Sequence, residues 1–268
     1  MNSDLLRELA ASLGNGRLRI FDLSQEWRIG MPHWPTHPPF LYSLSKGHGD
    51  IVLEGGVSSA AEVMTLGGHL GTHIDALGHF SRHGRLHGGI AAAANQSFEY
   101  GLAAAGIDRV LPIVRRGVLL DVVPDGMDAL APSQAVMAAD LEAAATRAAV
   151  PVEPGDVALI RTGWGRLWDR PREMAGPGGA PGLDLGAAQW LSARRIFAAG
   201  SDTLAFEVTP TAAFPVHVHL LVDNGIHIME ALNLEAVRQA AVYEFLFVAS
   251  PLKIRGGTGS PIRPFAIA

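Results

Sequence analysis

The chain has 268 residues, of which 48% are hydrophobic and 18% are charged, with a formal net charge of −5 and no cysteine. Without cysteine it can form neither a disulfide nor a thiolate zinc site, and it has no cysteine nucleophile. Its acidic balance offers no basic field for nucleic acid, so we expect a small-molecule partner.

The predicted elements alternate between helices and buried strands. The first is an amphipathic helix at 4–12, whose charged residues occupy the place of a signal peptide's apolar core. No apolar run approaches the roughly 18 residues of a membrane span, so we expect a cytoplasmic protein without a membrane segment. Strands are predicted at 17–27, 115–123, 155–163, 202–208 and 243–254, and 88–106 is predicted to be partly helical.

Three further helices follow from capping and periodicity. They are predicted at 132–150 with Ser133 as the N-cap, at 187–199 ended by Gly200, and at 233–241 capped by Asn233. The Gly- and Pro-rich segment 171–186 predicts a loop, either a functional lid or an insertion. The alternation favours a layered α/β arrangement in one domain over 1–268.

The stretch "GHLGTHIDALGHF" at 68–80 concentrates ionisable side chains. On a straight strand His69 and Asp75 would lie roughly 20 Å apart, too far for metal–ligand bonds of about 2.0 to 2.2 Å. On a helix Asp75 would point away from His69 and His73. The chain must therefore bend within the motif, and Gly71 and Gly78 offer the bends.

Folded in this way, the motif offers two imidazoles and one carboxylate. That set suits zinc, manganese or iron, and it leaves positions open for water or substrate. His79, just outside it, could carry a proton near neutral pH. Single histidines are commonly structural, and the spacing of His69 and His73 alone arises often by chance, but the full set favours a metal site.

The motif "HLGTHIDALGH" resembles H-x-G-T-H-x-D-x-P-x-H, the signature of the metal-dependent cyclase hydrolases, a family that includes bacterial kynurenine formamidase and isatin hydrolase. Only Leu77 departs from it, standing where the pattern has proline. The segments "FDLSQEWRIGMPHWP", "IRTGW" and "GGTGSPIRPFAI" are similar to family segments, although Thr36-His37 replaces a common Gly-Asp.

The resemblance implies a site and a fold. It implies a layered swivelling β/β/α domain, usually a homodimer or higher homo-oligomer, holding one or two divalent ions, Mn²⁺ or Zn²⁺. His217 and Glu230 match the later metal ligands, with His219 as a rival for His217, and a cupin-type site on that histidine pair fits less well. Trp34 matches the aromatic wall of the pocket.

The resemblance also implies a reaction. The implied reaction is hydrolysis of an amide or cyclic amide of isatin or N-formylkynurenine type by metal-activated water. In it His79 would transfer protons, Trp34 and Phe80 would flank a flat substrate, and Thr72 would hold the loop. A lactone hydrolase or a cyclase or dehydratase would use the same site. A metal-dependent binding protein is a further alternative, which a spare proton carrier argues against.

Overall fold

Two runs of consecutive apolar residues form central strands of the main sheet. In the computed structural model, which describes residues 3–176 and 178–268, both runs are fully buried around Leu119 and Leu159. Because neighbouring side chains of a strand point to opposite faces, such a run is typical of a strand covered on both sides. Residues 1, 2 and 177 lie outside the described residues, and the last of them belongs to the predicted 171–186 loop.

The strands and helices have the following bounds. The strands are β1 (Ile20–Asp22), β2 (Leu41–Lys46), β3 (Ala61–Thr65), β4 (His73–Asp75), β5 (Gln96–Ser97), β6 (Gly101–Leu102), β7 (Ile113–Asp121), β8 (Ala135–Val136), β9 (Val157–Arg161), β10 (Gly182–Leu183), β11 (Ala198–Ser201), β12 (His227–Glu230), β13 (Glu244–Ala249), β14 (Gly259–Pro261) and β15 (Phe265–Ile267). The helices are α1 (Ser3–Gly14), α2 (Ala92–Asn95), α3 (Ala138–Ala148), α4 (Pro171–Met174), α5 (Leu185–Ala193), α6 (Pro215–His217) and α7 (Glu235–Gln239). Within the described ranges, every helix is too short or too polar to cross a membrane.

The main sheet has the strand order β1-β15-β13-β7-β9-β11-β12-β4-β14. Strands β7, β9, β11 and β12 run parallel, whereas β4 pairs antiparallel with both β12 and β14. Helices α3 and α5 contribute Leu141 and Leu191 to the core on one face, and α7 contributes Val237 to the core on the other. The predicted layered α/β arrangement is confirmed.

Helix α3 begins six residues later than predicted. It starts at Ala138, and the Asp140 carboxylate accepts the Met137 N–H at 2.8 Å. Ser133 is therefore not the N-cap: its φ is +55°, and its hydroxyl lies 2.6 Å from the Gly178 carbonyl oxygen. The polar side chain satisfies the backbone of a distant loop instead of the helix terminus.

Several other boundaries also differ from the predictions. Gly200 lies inside β11 and does not end α5, because the apolar run after Arg195 forms a buried strand. Segment 202–208 joins the strands through a single bridge, between Leu183 and Glu207. Segment 88–106 is partly helical, as predicted, since it contains α2, and it continues as the β5–β6 hairpin. Leu234, one residue after the predicted Asn233, is the N-cap of α7. The predicted 171–186 loop contains α4 and β10.

The β2–β3 hairpin carries apolar side chains in contact with solvent. Leu44, Ile51 and Val63 are each more than half exposed, and all the residues of β3 are exposed. Cross-strand pairs share a face, and the Tyr42–Met64 and Ser43–Val63 pairs lie on opposite faces. Both faces of the hairpin are therefore partly apolar, which is unusual for a surface that stays in water.

Candidate metal centre

Strand β4, next to the edge strand β14 of the main sheet, carries the first predicted ligands. His73 and Asp75 are two residues apart, so their side chains share one face. His73 pairs across the sheet with Glu230 of β12, and its Nε2 lies 3.4 Å from Glu230 Oε2. The His73 Nδ1 atom donates to the Gly71 carbonyl at 2.8 Å, which leaves Nε2 directed at the carboxylates.

The bend at Gly71 brings His69 back over the strand. Gly71 has a φ of +58°, and a Cβ built there would lie 2.6 Å from the indole nitrogen of Trp27. His69 Nδ1 consequently lies 2.6 Å from Asp75 Oδ1, although the two residues are six apart in the chain. Thr72 holds the bend, because its hydroxyl donates to the Ala231 carbonyl at 2.6 Å. Gly78 has no positive φ and instead permits close packing.

Helix α6 supplies His217 from the opposite side. Its Nε2 lies 3.1 Å from Glu230 Oε1 and 3.8 Å from Asp75 Oδ2. Its Nδ1 donates to Glu207 Oε2 at 2.5 Å, and Glu207 also accepts the backbone N–H of Val216 at 3.0 Å. The orientation of His217 is thus fixed by a buried carboxylate behind it.

His79 and Phe80 complete the wall around the acidic cluster. The His79 ring stacks on the His69 ring with centroids 3.8 Å apart, and Phe80 lies 4.8 Å from both the His79 and His217 rings. These groups line a cavity of about 230 Å³. Trp34 also lines this cavity, and its ring contacts Phe214 edge to face with centroids 5.8 Å apart.

The buried charges hold each other in ionised form. Burial alone would raise the pKa of Asp75, but the imidazoles of His79 and His69 outweigh it and lower the pKa. Burial would likewise raise the pKa of Glu230, but the hydrogen bonds from His217 and His73 bring this pKa down to about 2. Burial would lower the pKa of His217, yet its hydrogen bonds to Glu207 and Glu230 raise the pKa to about 10.

The donor atoms fit one or two divalent ions. Two groups of side chains, His69–Asp75–His79 and Asp75–His217–Glu230, each have ligand atoms within 4.8 Å of one another. Metal–ligand bonds of about 2.0 to 2.2 Å require such separations. Within the described residues, Asp75 Oδ2 is the only buried side-chain oxygen or nitrogen without a hydrogen-bond partner. A buried carboxylate oxygen in this state is what an absent cation would leave.

The structure separates the rival histidines. Whereas His217 faces the cluster, His219 Nε2 lies 2.8 Å from Ser192 Oγ, outside it. His227 donates its Nδ1 hydrogen to the Asp75 carbonyl at 2.9 Å and so supports the neighbouring strand. His87 donates to the Val222 carbonyl, and His83 is exposed.

Sequence reasoning missed Glu207, Phe214 and Thr258. Thr258 Oγ1 lies 2.9 Å from His69 Nε2, and Phe214 contacts the rings of Trp34 and His217. Glu207 falls in a segment that resembles a strand, and nothing in its spacing relates it to His217. Only the three-dimensional contact identifies these residues.

Comparisons with known proteins match this chain to a cyclase family model and to an isatin hydrolase. The family model named Cyclase, described as "Putative cyclase", matches residues 21–208, which include His69 to His79 but neither His217 nor Glu230. Isatin hydrolase of Roseibium aggregatum is 25% identical over 274 residues, covering 98% of this chain and 96% of that protein.

Solved structures show the same fold. A structure described as a novel cyclase has a TM-score of 0.85 and 29% identity, covering 92% of this chain and 86% of its own. Isatin hydrolase A of Ralstonia solanacearum has a TM-score of 0.75 and 22% identity, covering 98% and 97%. At that lower identity the likeness extends to the fold alone.

Proposed function

The chain belongs to the cyclase family, and we propose that it is a metal-dependent hydrolase that cleaves an amide or cyclic amide bond of a small aromatic substrate. One observation carries the proposal: Asp75 is buried between two groups of metal-ligand type, with one oxygen unpaired among the described residues. The R. aggregatum relative, an isatin hydrolase, supports the substrate class.

The ligands we propose are His69, His73, Asp75, His217 and Glu230. A divalent ion supplies Lewis acidity when bound, since it acidifies water and polarises a carbonyl oxygen. The donor set of imidazoles and carboxylates suits Mn²⁺ or Zn²⁺. Glu207 fixes the tautomer of His217, because its carboxylate accepts the Nδ1 hydrogen and leaves the Nε2 lone pair toward the site.

His79 is the proton carrier in this proposal. Burial lowers its pKa to about 3, against the opposing effect of Asp75, so the ring is neutral at pH 7. It would take a proton from the attacking water and give it to the leaving nitrogen, which departs poorly as an anion. Its stacking on His69 keeps the ring beside the cluster.

The cavity selects for small, flat substrates. Trp34, Phe80 and Phe214 form aromatic walls around about 230 Å³ of space. Aromatic rings pack well against such walls by offset or edge contacts. A fused bicyclic amide of isatin size is the substrate we propose, with N-formylkynurenine as the open-chain alternative.

The test combines metal analysis with a substrate panel. We expect the purified protein to bind Mn²⁺ or Zn²⁺ and to hydrolyse isatin or N-formylkynurenine faster than lactones of similar size. His79→Ala should keep the metal and lose turnover, whereas His73→Ala should lose both. His219→Ala, which removes a partly buried histidine outside the cluster, is the matched control.

Two results would contradict this proposal. Preferential cleavage of lactones would point to the ester hydrolase alternative. Loss of metal in His79→Ala would mean that His79 is a ligand, which its place beside His69 and Asp75 permits geometrically.

A further inference from the structure

The proline-rich loop presents two imidazoles to the candidate site. His33 and His37 both line the cavity that contains the metal-ligand cluster. The backbone N–H of His37 donates to the Trp34 carbonyl at 2.9 Å, which closes a turn with Pro35 at its second position. Because proline fixes φ there, the turn defines the backbone position of His37.

Backbone carbonyls set the tautomer of both rings. His33 Nδ1 lies 2.9 Å from the Trp34 carbonyl oxygen, and His37 Nδ1 lies 3.3 Å from the His69 carbonyl oxygen. A carbonyl oxygen only accepts, so each Nδ1 carries the hydrogen. In a neutral imidazole the Nε2 atom then carries a lone pair and accepts.

The two Nε2 atoms are unpaired and accessible. Within the described part of the chain, the hydrogen bonds of both rings go through Nδ1, and neither Nε2 is among the fully buried unpartnered atoms. Phe80 and Phe214, which line the same cavity, have no polar side-chain atom that could pair with them. This side of the cavity thus offers acceptors.

We propose that His33 and His37 form an acceptor wall that binds the N–H of the substrate amide, so that the enzyme prefers N-unsubstituted amides to N-alkylated amides and lactones. An N-methyl group would leave the lone pairs without a donor, and a lactone oxygen would face them with another lone pair. Sites that hydrogen-bond a substrate group discriminate against analogues that lack it. This inference rests on the proposed function and assigns two substrate-binding residues to it.

The experiment distinguishes a role of His37 in binding the substrate from a role in supporting the backbone of His69. In His37→Asn, the amide nitrogen replaces Nδ1 and keeps the donation to the His69 carbonyl, but nothing replaces Nε2. In His37→Gln, the longer side chain places an amide oxygen near the position of Nε2. His87→Asn is the matched control, since His87 also donates through Nδ1 to a backbone carbonyl, that of Val222, away from this cavity.

The measured quantity is the ratio of kcat/KM for isatin to that for N-methylisatin at pH 8 with metal-loaded protein. One hydrogen bond corresponds to a change of about 10-fold. We expect His37→Asn to lower this ratio by about that factor through the KM for isatin, His37→Gln to restore most of it, and His87→Asn to leave it unchanged. Metal content should be the same in all four proteins.

A binding measurement makes the inference independent of turnover. Oxindole and N-methyloxindole carry the same lactam without the reactive ketone, and calorimetry gives their Kd values. We expect the wild-type preference for oxindole to disappear in His37→Asn. An equal loss for both ligands, or loss of metal, would overturn the inference, because His37 would then act only through His69. If no amide is hydrolysed but the oxindole preference behaves as expected, the proposed function fails and the acceptor wall stands.

Discussion

Glu207 is the buried group whose replacement gives the most specific information about the candidate metal centre. Its carboxylate accepts the His217 Nδ1 hydrogen at 2.5 Å and the backbone N–H groups of Val216 and His217 at 3.0 and 3.3 Å. Glu207→Gln keeps the size of the side chain but removes its charge and turns one acceptor into a donor. At least one of these hydrogen bonds must be lost.

The expected magnitude follows from the role of a carboxylate behind a metal-binding histidine. Replacing such a partner costs about 10- to 100-fold in metal affinity. A competing effect has the opposite sign: Glu207 helps to raise the pKa of His217 to about 10, so a proton competes with the metal for Nε2 at neutral pH. A doubly charged metal ion is attracted more strongly by the Glu207 carboxylate than a proton is. The net affinity of the site for the metal should therefore fall in Glu207→Gln.

The proton count provides a second readout. In the wild-type protein at pH 8, metal binding should release close to one proton from His217, because that pH lies below the pKa of about 10. In Glu207→Gln the pKa moves toward the ordinary imidazole value, so fewer protons are released. Calorimetry in two buffers of different ionisation enthalpy measures this number together with Kd.

Glu142→Gln is the control, because Glu142 is an exposed glutamate whose carboxylate pairs with Arg194 on the surface. It should change neither quantity. An unchanged Kd and an unchanged proton count in Glu207→Gln would refute the role assigned to Glu207.

Three further predictions follow from particular residues. Gly71→Ala should lower the free energy of unfolding by at least about 1–2 kcal/mol because of the positive φ. The added Cβ would also clash with the Trp27 indole at 2.6 Å, and we expect loss of metal. In Gly84→Ala, where nothing lies within 4 Å of the added Cβ, urea titrations should show the backbone cost alone. Because the pKa of His217 is raised to about 10, its contribution to the stability of the metal-free protein is fully present below about pH 6.5 and is lost as pH rises toward 10. The urea midpoint should therefore fall over that range. A midpoint that does not change would contradict this prediction. We also propose that the exposed β2–β3 hairpin mediates homodimer formation: sedimentation should show a dimer that dissociates in Leu44→Lys but persists in Ser43→Lys, and a monomeric wild-type protein would contradict the proposal.

Those strands of the main sheet that are buried on both faces could be predicted from the sequence. The segments 115–123 and 155–163 read as strands from composition alone, and they form β7 and β9. The start of α3 could not be predicted, because Ser133 satisfies a loop that is distant in sequence. Gly200 misled for a similar reason, since a glycine after a helix-like pattern does not distinguish a helix end from a buried strand.

The local half of the site was predictable, and the distant half was not. Spacing alone required a bend near Gly71, and the structure has that bend and adds that His73 and Asp75 share one face of β4. The contact of Glu207 with His217, and the choice between His217 and His219, depend on how α6 packs over the sheet. No periodicity in the sequence encodes that packing. The assignment of these residues as ligands or supports remains a prediction that the metal measurements test.

The position of β4 in the sheet has a consequence for biosynthesis. Its neighbours are β12 and β14, and the contact between His69 and Thr258 spans 189 residues. A chain made from its N-terminus therefore exposes His73 and Asp75 long before the strands that flank them exist. The cluster around His73 and Asp75 can therefore form only after the segments that carry β12 and β14 have been synthesised.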